Sequence, residues 1–356
     1  MLSVALSILC RSADFQPVSA KMSGLYVGLE VRTSDGKDHL FLVDSGSDDS
    51  YVSSSAVAET ERKKDRTTVH IDVGPTQVAA IAFVAPPDKI PASIGGLQTE
   101  GVLGLNLLQR LQLEIDYDSE EVQARCGSAL PGAGPGYVPY LMDRDTARLF
   151  AVTTELRGKS YRLCVDTGAT ALVLDSAKVS LDGLQPLPPS KIHTFGGTAE
   201  SQRYLIDSMK LGERETPWMV AYAQRWTESD PDDGAIGTAQ FGGSKVILDF
   251  PGSCLYVSKS DAIGDAASRI LGLPVKIDAG NLSFRENLKG IFRSSSGAKI
   301  VALRSFKAES ILSALKARGA EARKTLVDAF TAMRAPGLVT TERDGQRQLL
   351  PVQVDD

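Results

Sequence analysis

Two short segments of the chain carry an aspartate in the same setting. Asp44–Gly46 reads Asp-Ser-Gly and Asp166–Gly168 reads Asp-Thr-Gly, and each segment follows an apolar run. Two carboxyl groups held about 3 Å apart cannot both ionise, so they share one proton. The ionised member can then take a proton from water while the protonated member polarises a carbonyl group. We therefore predict that Asp44 and Asp166 are catalytic carboxylates that hydrolyse an acyl bond without a metal or another cofactor.

The residues that follow each aspartate are suited to a tight turn. Glycine at positions 46 and 168 permits positive φ and a close approach of the backbone. The hydroxyl groups of Ser45 and Thr167 can hydrogen-bond to the opposite loop and so hold the two turns together. The residues predicted to support the active-site loops are Ser45, Gly46, Ser47, Thr167, Gly168 and Ala169.

The residue after each glycine differs between the two segments. A hydroxyl group on Ser47 can donate a hydrogen bond to the carboxylate of Asp44, which favours the charged form and lowers the pKa. Ala169 has no such donor. We therefore expect Asp44 to be the ionised member of the pair and Asp166 to hold the shared proton.

An internal repeat places the two segments in equivalent positions. Gly101–Gly104 reads GVLG, and Gly234–Gly237 reads GAIG. An apolar run follows each and ends in an acid and an aromatic residue, as LEIDY at 113–117 and VILDF at 246–250. Alternating apolar residues and hairpin turn sequences surround both copies. The pattern predicts a mostly β fold, with two homologous, small, barrel-like lobes and a small α+β module at the C-terminal end.

Composition and the repeat boundaries divide the chain into five segments. These are a signal peptide at 1–20, an N-terminal lobe at 22–128, a Pro/Gly linker at 129–137, a C-terminal lobe at 138–260 and the α+β module at 270–356. Apolar residues at helical spacing in 308–318 and 322–333 predict two helices in the last segment. Because each lobe is expected to close its own core, we expect the module to be dispensable for catalysis.

Composition also excludes several classes of protein. Of the 356 residues, 42% are hydrophobic, which suffices for packed cores. The net charge is −5 and lysine and arginine form no block, so nucleic acid is not expected as a partner. The four cysteines lack C-x-x-C spacing and the three histidines lack metal-ligand spacing, so we expect no metal and no cofactor. Cys164 lies in an apolar run and is interpreted as a buried thiol.

The N-terminal residues carry features of an export signal. Leu2–Cys10 is an apolar run of signal-peptide length, and Val18–Ala20 offers small residues before a cleavage point. No lysine or arginine precedes the run, which leaves a cytoplasmic location as the alternative. We predict export to the periplasm or the extracellular space. No other run approaches the roughly 18 apolar residues of a membrane span.

Over roughly Leu25–Ser258 the sequence resembles the aspartic peptidases of the pepsin and retropepsin type. The run VDSGSDDSYV is similar to the D-T-G-A-D-D-T-V of the retroviral enzymes, and GLNLLQRL is similar to their G-R-N-L-L. The resemblance implies that Asp48 and Asp49 bind the substrate backbone. Leu105 replaces the family arginine that pairs with the first of these acids, so Asp48 pairs elsewhere, for example with Arg110, or stays solvated.

The resemblance also implies a hairpin flap that closes over the substrate. The segment 193–198 (HTFGGT) is similar to such a flap, with Gly196 and Gly197 at its tip. Gly74, followed by Pro75, is interpreted as the corresponding hairpin of the first lobe. Either hairpin could equally be a surface turn. Since one chain carries both aspartates, a monomer should suffice for activity.

The resemblance predicts an aspartic endopeptidase that takes a peptide or protein substrate. The alternative is a catalytically inactive member of the same fold that binds peptides, because Ala171 and Leu172 replace the paired acids in the second lobe. The C-terminal run TTERDGQRQLLPVQV is similar to the closing strands of PDZ modules. A G-L-G-F type loop for a peptide carboxylate is not evident in the sequence, so a packing or interaction domain is the alternative for this region.

Overall fold

The computed structural model describes residues 14–90, 93–127, 130, 132–134, 136–143, 149–194, 197–226, 230–241, 244–258, 266–267, 270–271, 273, 275–278, 280–284, 298–304, 306–317, 319–334 and 337–352. Residues 1–13 of the predicted signal peptide and Gly196 of the predicted flap lie outside the described residues. Among the described residues, no helix is both long enough and apolar enough to cross a membrane.

The chain is built mainly from β-strands. Those of the first half are β1 (Gln16–Pro17), β2 (Ala20–Ser23), β3 (Tyr26–Arg32), β4 (Asp38–Val43), β5 (Ser50–Ser53), β6 (Arg66–Val73), β7 (Thr76–Ala85), β8 (Ser93–Ile94), β9 (Leu97–Gln98), β10 (Gly101–Leu103), β11 (Leu111–Asp116) and β12 (Glu121–Cys126). Those that follow are β13 (Tyr137–Leu141), β14 (Ala151–Leu156), β15 (Lys159–Val165), β16 (Leu172–Asp175), β17 (Gln185–Thr194), β18 (Gly197–Leu211), β19 (Arg214–Gln224), β20 (Gly234–Ile236), β21 (Lys245–Asp249) and β22 (Cys254–Ser258). The short helix α1 (Leu105–Leu108) follows β10.

The chain folds into two compact units, each assembled from separate stretches of sequence. The first unit comprises Met1–Val152, Leu163–Thr170 and Ala235–Lys259. The second comprises Thr153–Arg162, Ala171–Gly234 and Ser260–Asp356. Both predicted catalytic aspartates therefore lie in the first unit.

A closed sheet forms the first lobe. Its strand order is β2-β3-β4-β10-β5-β7-β6, and an additional pairing of β3 with β6 closes it into a barrel. Along β6 the side chains of Thr67, Val69, Ile71 and Val73 are buried, and those between them are more exposed. Because successive side chains of a strand point to opposite faces, this alternation places one face of β6 in the barrel core.

A second closed sheet repeats this arrangement. Its strand order is β14-β15-β20-β16-β19-β18-β17, with an additional pairing of β14 with β18. Strand for strand, β14, β15, β20, β16, β19 and β18 correspond to β3, β4, β10, β5, β7 and β6. The strand β17 has no counterpart in this correspondence and forms a long antiparallel hairpin with β18. The predicted mostly β fold with two homologous barrel-like lobes is confirmed.

The hairpin correspondence predicted from the sequence is wrong. Gly74 lies between β6 and β7, whose counterparts are β18 and β19, so its equivalent is Gly212 rather than Gly196. The φ angles of Gly74 and Gly212 are both +56°. A Cβ atom on Gly74 would lie 2.9 Å from Cγ of Gln16 in β1. The structure therefore gives Gly74 a place in a tight turn against β1, and the flap interpretation does not apply to it.

A six-stranded sheet in the first unit joins strands from both halves of the sequence. Its order is β1-β12-β11-β21-β22-β13. The repeated strands β11 and β21 each end at the acid, and the aromatic residue follows. The two strands pair directly, with Gln112 opposite Asp249. Asp249 is buried and accepts hydrogen bonds from Nε2 of Gln112 at 3.0 Å and from the backbone N of Leu130 at 2.8 Å. These donors offset the cost of burying its carboxylate.

A small α+β region follows in the second unit. Its elements are β23 (Val275–Asp278), β24 (Asn281–Phe284), β25 (Lys299–Leu303), β26 (Phe306–Lys307), α2 (Ala308–Lys316), α3 (Ala320–Met333), β27 (Gly337–Arg343) and β28 (Gln346–Val352). The sheet order is β23-β24-β25-β27-β28, with β26 paired to β25. The two predicted amphipathic helices correspond to α2 and α3.

This region shares its hydrophobic core with the second barrel. Leu187, Leu205 and Trp218 of the barrel belong to one buried cluster with Leu326 and Phe330 of α3. The side chain of Trp218 is 0% exposed. The expectation that each lobe closes its own core is therefore wrong for the second lobe. The spacing of apolar residues identified the helical faces but not the surface that they cover.

The described cysteines form no disulfide. Cys126, Cys164 and Cys254 are all buried thiols, which confirms the interpretation of Cys164. Burial raises the pKa of the Cys254 thiol above its ordinary value. A thiol with a raised pKa is a poor nucleophile because the thiolate is the reactive form.

Candidate active site

The loop of Asp44 is held by backbone hydrogen bonds on both of its sides. The strand β4 ends at Val43, and the backbone N of Asp44 donates to the carbonyl oxygen of Leu103 in β10 at 3.0 Å. Within the loop, the backbone N of Gly46 donates to Oδ1 of Asp44 at 2.9 Å. The side chain is 7% exposed. The loop thus buries this carboxyl group and supplies a donor for it.

The loop of Asp166 repeats this arrangement. The backbone N of Asp166 donates to the carbonyl oxygen of Ile236 in β20 at 3.1 Å. Oδ1 of Asp166 accepts from the backbone N of Gly168 at 2.9 Å and from that of Ala169 at 3.1 Å. The two carboxyl groups therefore have matching backbone partners in the two copies of the repeat.

The repeated glycine-flanked segments brace both loops. After the first segment, the backbone N atoms of Leu105 and Asn106 donate to the carbonyl oxygens at 47 and 48, at 2.8 and 3.0 Å. After the second segment, the backbone N atoms of Thr238 and Ala239 donate to the carbonyl oxygens of residues 169 and 170, both at 2.9 Å. A Cβ atom on Gly104 would lie 2.2 Å from the carbonyl oxygen of residue 49, so the brace requires glycine there.

Two hydroxyl groups cross-link the loops. Oγ of Ser45 donates to the carbonyl oxygen of Val165 at 2.6 Å and accepts from the backbone N of Thr167 at 3.1 Å. Reciprocally, Oγ1 of Thr167 donates to the carbonyl oxygen of Val43 at 2.9 Å and accepts from the backbone N of Ser45 at 2.9 Å. Both side chains are buried. The hydrogen bonding predicted for Ser45 and Thr167 is present in both directions and fixes the separation of the two aspartates.

Each loop glycine lies against the opposite carboxyl group. A Cβ atom on Gly46 would lie 2.5 Å from Cγ of Asp166, and one on Gly168 would lie 2.5 Å from Cγ of Asp44. Neither glycine is among the residues with positive φ. Glycine is therefore required for close approach alone, and the part of the prediction that concerned positive φ is wrong.

The two carboxyl groups hydrogen-bond to each other. Burial raises the pKa of Asp44 well above its ordinary value, and the neighbouring charge of Asp166 raises it further. Burial also raises the pKa of Asp166, although the hydrogen bond from Asp44 and the loop amides oppose that shift. Raised pKa values at two adjoining carboxyl groups favour a pair that shares one proton.

The predicted source of asymmetry between the aspartates is absent. Oγ of Ser47 donates to the carbonyl oxygen of Asp49 at 2.9 Å. A hydroxyl group has a single proton, so Ser47 has none left to donate to Asp44. The expectation that Ser47 keeps Asp44 ionised is contradicted by this contact. The sequence indicated that Ser47 carries a hydroxyl donor, but it did not indicate which acceptor the hydroxyl group reaches.

Two of the residues predicted to bind substrate, Asp48 and Asp49, follow the Asp44 loop directly in the chain. Asp48 and Asp49 are both partly buried. Nη1 of Arg110, considered as a partner for Asp48, donates to the carbonyl oxygen of Ala79 at 2.6 Å. Gly197 begins β18, and Gly196 lies outside the described residues.

Ser50 and Asn106 form a polar pair that supports this loop and that was not predicted from the sequence. Oγ of Ser50 donates to Oδ1 of Asn106 at 2.7 Å and accepts from the backbone N of Gly104 at 3.0 Å. Nδ2 of Asn106 donates to the carbonyl oxygen of Ile81 at 2.7 Å. The asparagine of the GLNLL run was the available signal, since an amide that is partly buried within an apolar run needs hydrogen-bond partners.

Comparison with known families agrees with this geometry. Residues 152–239 match the aspartyl protease family. The match includes Asp166 and the strand β20 that holds its loop, but it does not reach Asp44. No curated protein matches the chain. Together with the paired carboxyl groups, the match supports an aspartic peptidase family for this chain.

Proposed function

We propose that this protein is an aspartic endopeptidase with Asp44 and Asp166 as its catalytic residues. The observation that carries the proposal is the pair of hydrogen-bonded carboxyl groups at the ends of two equivalent strands. Their loops are cross-linked by Ser45 and Thr167. Raised pKa values, a shared proton and a fixed separation are the properties that a pair of acids needs to activate water.

The proposed mechanism uses the two carboxyl groups in different roles. The ionised member of the pair takes a proton from a water molecule between the acids, and the resulting hydroxide adds to the scissile carbonyl carbon. The protonated member donates to the carbonyl oxygen and stabilises the charge that develops there. Transfer of a proton to the departing amine then breaks the C–N bond and restores the pair. The backbone amides of Gly46 and Gly168 keep both carboxyl groups in place throughout.

The proposed substrate is an extended peptide or a protein segment. By the resemblance described above, Asp48 and Asp49 would bind its backbone, and the 193–198 hairpin would act as a flap. Because both loops belong to one chain, a monomer would be sufficient. The PDZ-like C-terminal role belongs to the same resemblance and is proposed on that ground alone.

The alternative is a peptide-binding protein of the same fold without catalysis. It is favoured by the lack of paired acids in the second lobe. Thr170 and Ala171, and not Ala171 and Leu172 as predicted, stand at the positions that correspond to Asp48 and Asp49, so the two lobes are unequal. Such a protein would bind peptides without cleaving them. Measuring both binding and cleavage on the same peptides therefore separates the two functions.

The deciding experiment is cleavage of a mixed peptide library between acidic and neutral pH, with and without pepstatin. We expect cleavage that pepstatin inhibits and that Asp44→Asn and Asp166→Asn each abolish. Asp88→Asn, which changes an exposed aspartate, serves as the matched control and should retain activity. Peptide binding without cleavage by the unmodified protein would favour the alternative. Cleavage that survives either active-site substitution would refute the proposed roles.

A further inference from the structure

Among the described strands, the long β17–β18 hairpin has no counterpart in the first barrel, and it is in contact with the C-terminal helix α3. All of these elements belong to the second compact unit. Three separate polar or aromatic contacts join strands β18 and β19 to helices α2 and α3. They are the pairs Trp218 with Leu315, Asp207 with Arg323, and Arg203 with Phe330.

The first contact involves a buried tryptophan in β19. Nε1 of Trp218 donates to the carbonyl oxygen of Leu315 near the end of α2, at 2.9 Å. Trp218 has a φ of +51°, a left-handed conformation that is unfavourable for a bulky side chain. Surrounding contacts must stabilise a residue held in this way. The helix carbonyl is one of them, so strand and helix are coupled at this position.

The second contact is an ion pair between β18 and α3. Nε of Arg323 lies 3.1 Å from Oδ1 of Asp207, and Nη2 lies 2.7 Å from Oδ2. The side chains of Arg323 and Asp207 are 29% and 37% exposed, so water reaches the pair only in part. A bidentate pair of this kind fixes orientation as well as distance. It therefore specifies how the helix lies on the strand.

The third contact places a buried arginine between both strands of the hairpin and α3. Nε of Arg203 donates to the carbonyl oxygen of Pro188 in β17 at 2.7 Å. Its guanidinium carbon lies 5.0 Å from the centre of the Phe330 ring. Arg203 is 2% exposed, and a cation stacked on an aromatic face gains more when water is excluded. This arginine thus ties β17, β18 and α3 together.

We propose that α2 and α3 act as an intramolecular clamp that sets the mobility of the β17–β18 hairpin. With the clamp closed, the three contacts and the shared apolar cluster hold the hairpin against the helices. Release of the partly exposed Asp207–Arg323 pair loosens the hairpin on α3, while the buried cluster keeps the chain folded. The clamp itself does not depend on the proposed function. Only the expectation that a freed hairpin alters peptide cleavage rests on that function.

The test is hydrogen exchange, measured by mass spectrometry on the full chain. Arg323→Asp places two like charges together and should speed exchange in 185–211 by about tenfold or more, because charged hydrogen bonds are lost. The double variant Asp207→Arg with Arg323→Asp restores an ion pair and should return exchange to near the original rate. Lys324→Asp makes the same charge change one residue further along α3 and should leave the hairpin unchanged, since Lys324 pairs with Asp328 on its own helix.

A second variant keeps the test decisive. Trp218→Phe retains an aromatic ring but removes the donor to Leu315, and it should also speed exchange in 185–211. Equal effects of Arg323→Asp and Lys324→Asp on the hairpin would overturn the clamp. So would unfolding of the whole chain in both Arg323→Asp and Trp218→Phe, because the two contacts would then stabilise the whole fold and not the hairpin in particular. Peptide cleavage is measured in parallel: unchanged cleavage with a freed hairpin contradicts only the functional consequence.

Discussion

Gly46 lies so close to Asp166 that an added Cβ atom would stand 2.5 Å from its Cγ atom, and Gly168 stands in the same relation to Asp44. Each loop therefore supplies one carboxyl group and makes room for the other. The reciprocity arises from the sequence repeat, in which Asp44–Gly46 and Asp166–Gly168 follow equivalent strands. It also means that replacing the glycine of either loop by a larger residue would displace the aspartate of the opposite loop.

Substituting either glycine should therefore inactivate the protein. We expect Gly46→Ala and Gly168→Ala each to lower kcat/KM for peptide cleavage by about 100-fold or more, because the opposite carboxyl group must move by a sizeable fraction of an ångström. Gly36→Ala is the control, since a Cβ atom there meets nothing within 4 Å although φ is +78°. It should lower stability and leave kcat/KM of the folded protein unchanged. Retention of full activity in Gly46→Ala would contradict the close approach.

The contact of Ser47 with Asp49 gives a prediction about pH dependence. Because its proton goes to the carbonyl oxygen of Asp49, removing the hydroxyl group should not alter the pKa values of the aspartate pair. We expect Ser47→Ala to leave the acid limb of the pH–rate profile where it is. Movement of that limb to higher pH would mean that Ser47 donates to Asp44 in the active protein.

Burial of the two acids gives a prediction about stability. Since the pKa values of Asp44 and Asp166 are raised, folding favours their protonated forms, and stability falls as pH rises from about 4 through the raised values. Asp44→Asn removes one of the two charges and should raise the free energy of unfolding at pH 7. The gain should be smaller at pH 3.5, where both acids are protonated.

Urea unfolding at the two pH values measures this difference. Asp88→Asn, at an exposed position, is the matched control and should show no such pH-dependent gain. A loss of stability in Asp44→Asn at pH 7 would mean that the charged pair stabilises the fold at that pH and does not destabilise it.

His39 should stabilise the first lobe at acidic pH. Burial lowers its pKa, but hydrogen bonds to Glu100 at 2.6 Å and to Asp35 at 3.1 Å outweigh burial and raise it. A raised histidine pKa contributes stability that is full below about 6.5 and is lost as pH rises through the folded value. Of the other charges nearby, Asp38 also interacts with His39 and is itself paired with Arg32.

We therefore expect His39→Gln to lower the free energy of unfolding more at pH 5 than at pH 8.5. His70→Gln, in strand β6 of the same barrel, is the matched histidine control. Thermal or urea unfolding at both pH values gives the comparison. An equal loss at the two pH values would show that the charge on His39 is not what stabilises this region.

Removing the C-terminal region should unfold the second lobe. A chain that ends at Ser258 exposes Leu187, Leu205 and Trp218, which are otherwise buried against the lost residues. Burying one large apolar side chain contributes roughly 1.5–3 kcal/mol, so exposing three of them is large against a typical total stability of about 5–15 kcal/mol. Near-ultraviolet circular dichroism and dye binding should report disrupted packing. A well-folded, active truncated chain would contradict the shared core.

The sequence by itself determined the two aspartates, their loops and the repeat that makes them equivalent. Those features depend on short motifs and on apolar residues at a spacing of two, both of which reflect local backbone geometry. The mostly β fold and the two C-terminal helices follow from the same local patterns. The buried state of Cys164 was also readable, because an unpaired cysteine in an apolar strand has few other places to go.

Tertiary structure alone decided the rest. The partner of a hairpin turn such as that at Gly74 depends on which distant strands pair, and turn residues do not encode that pairing. The direction of the Ser47 hydroxyl depends on a competing acceptor that folding brings within reach. The surface covered by α2 and α3 depends on residues about a hundred positions earlier, such as Trp218. Each of these is a long-range contact, and similar local patterns are compatible with many long-range contacts until one set packs without voids or unpaired groups.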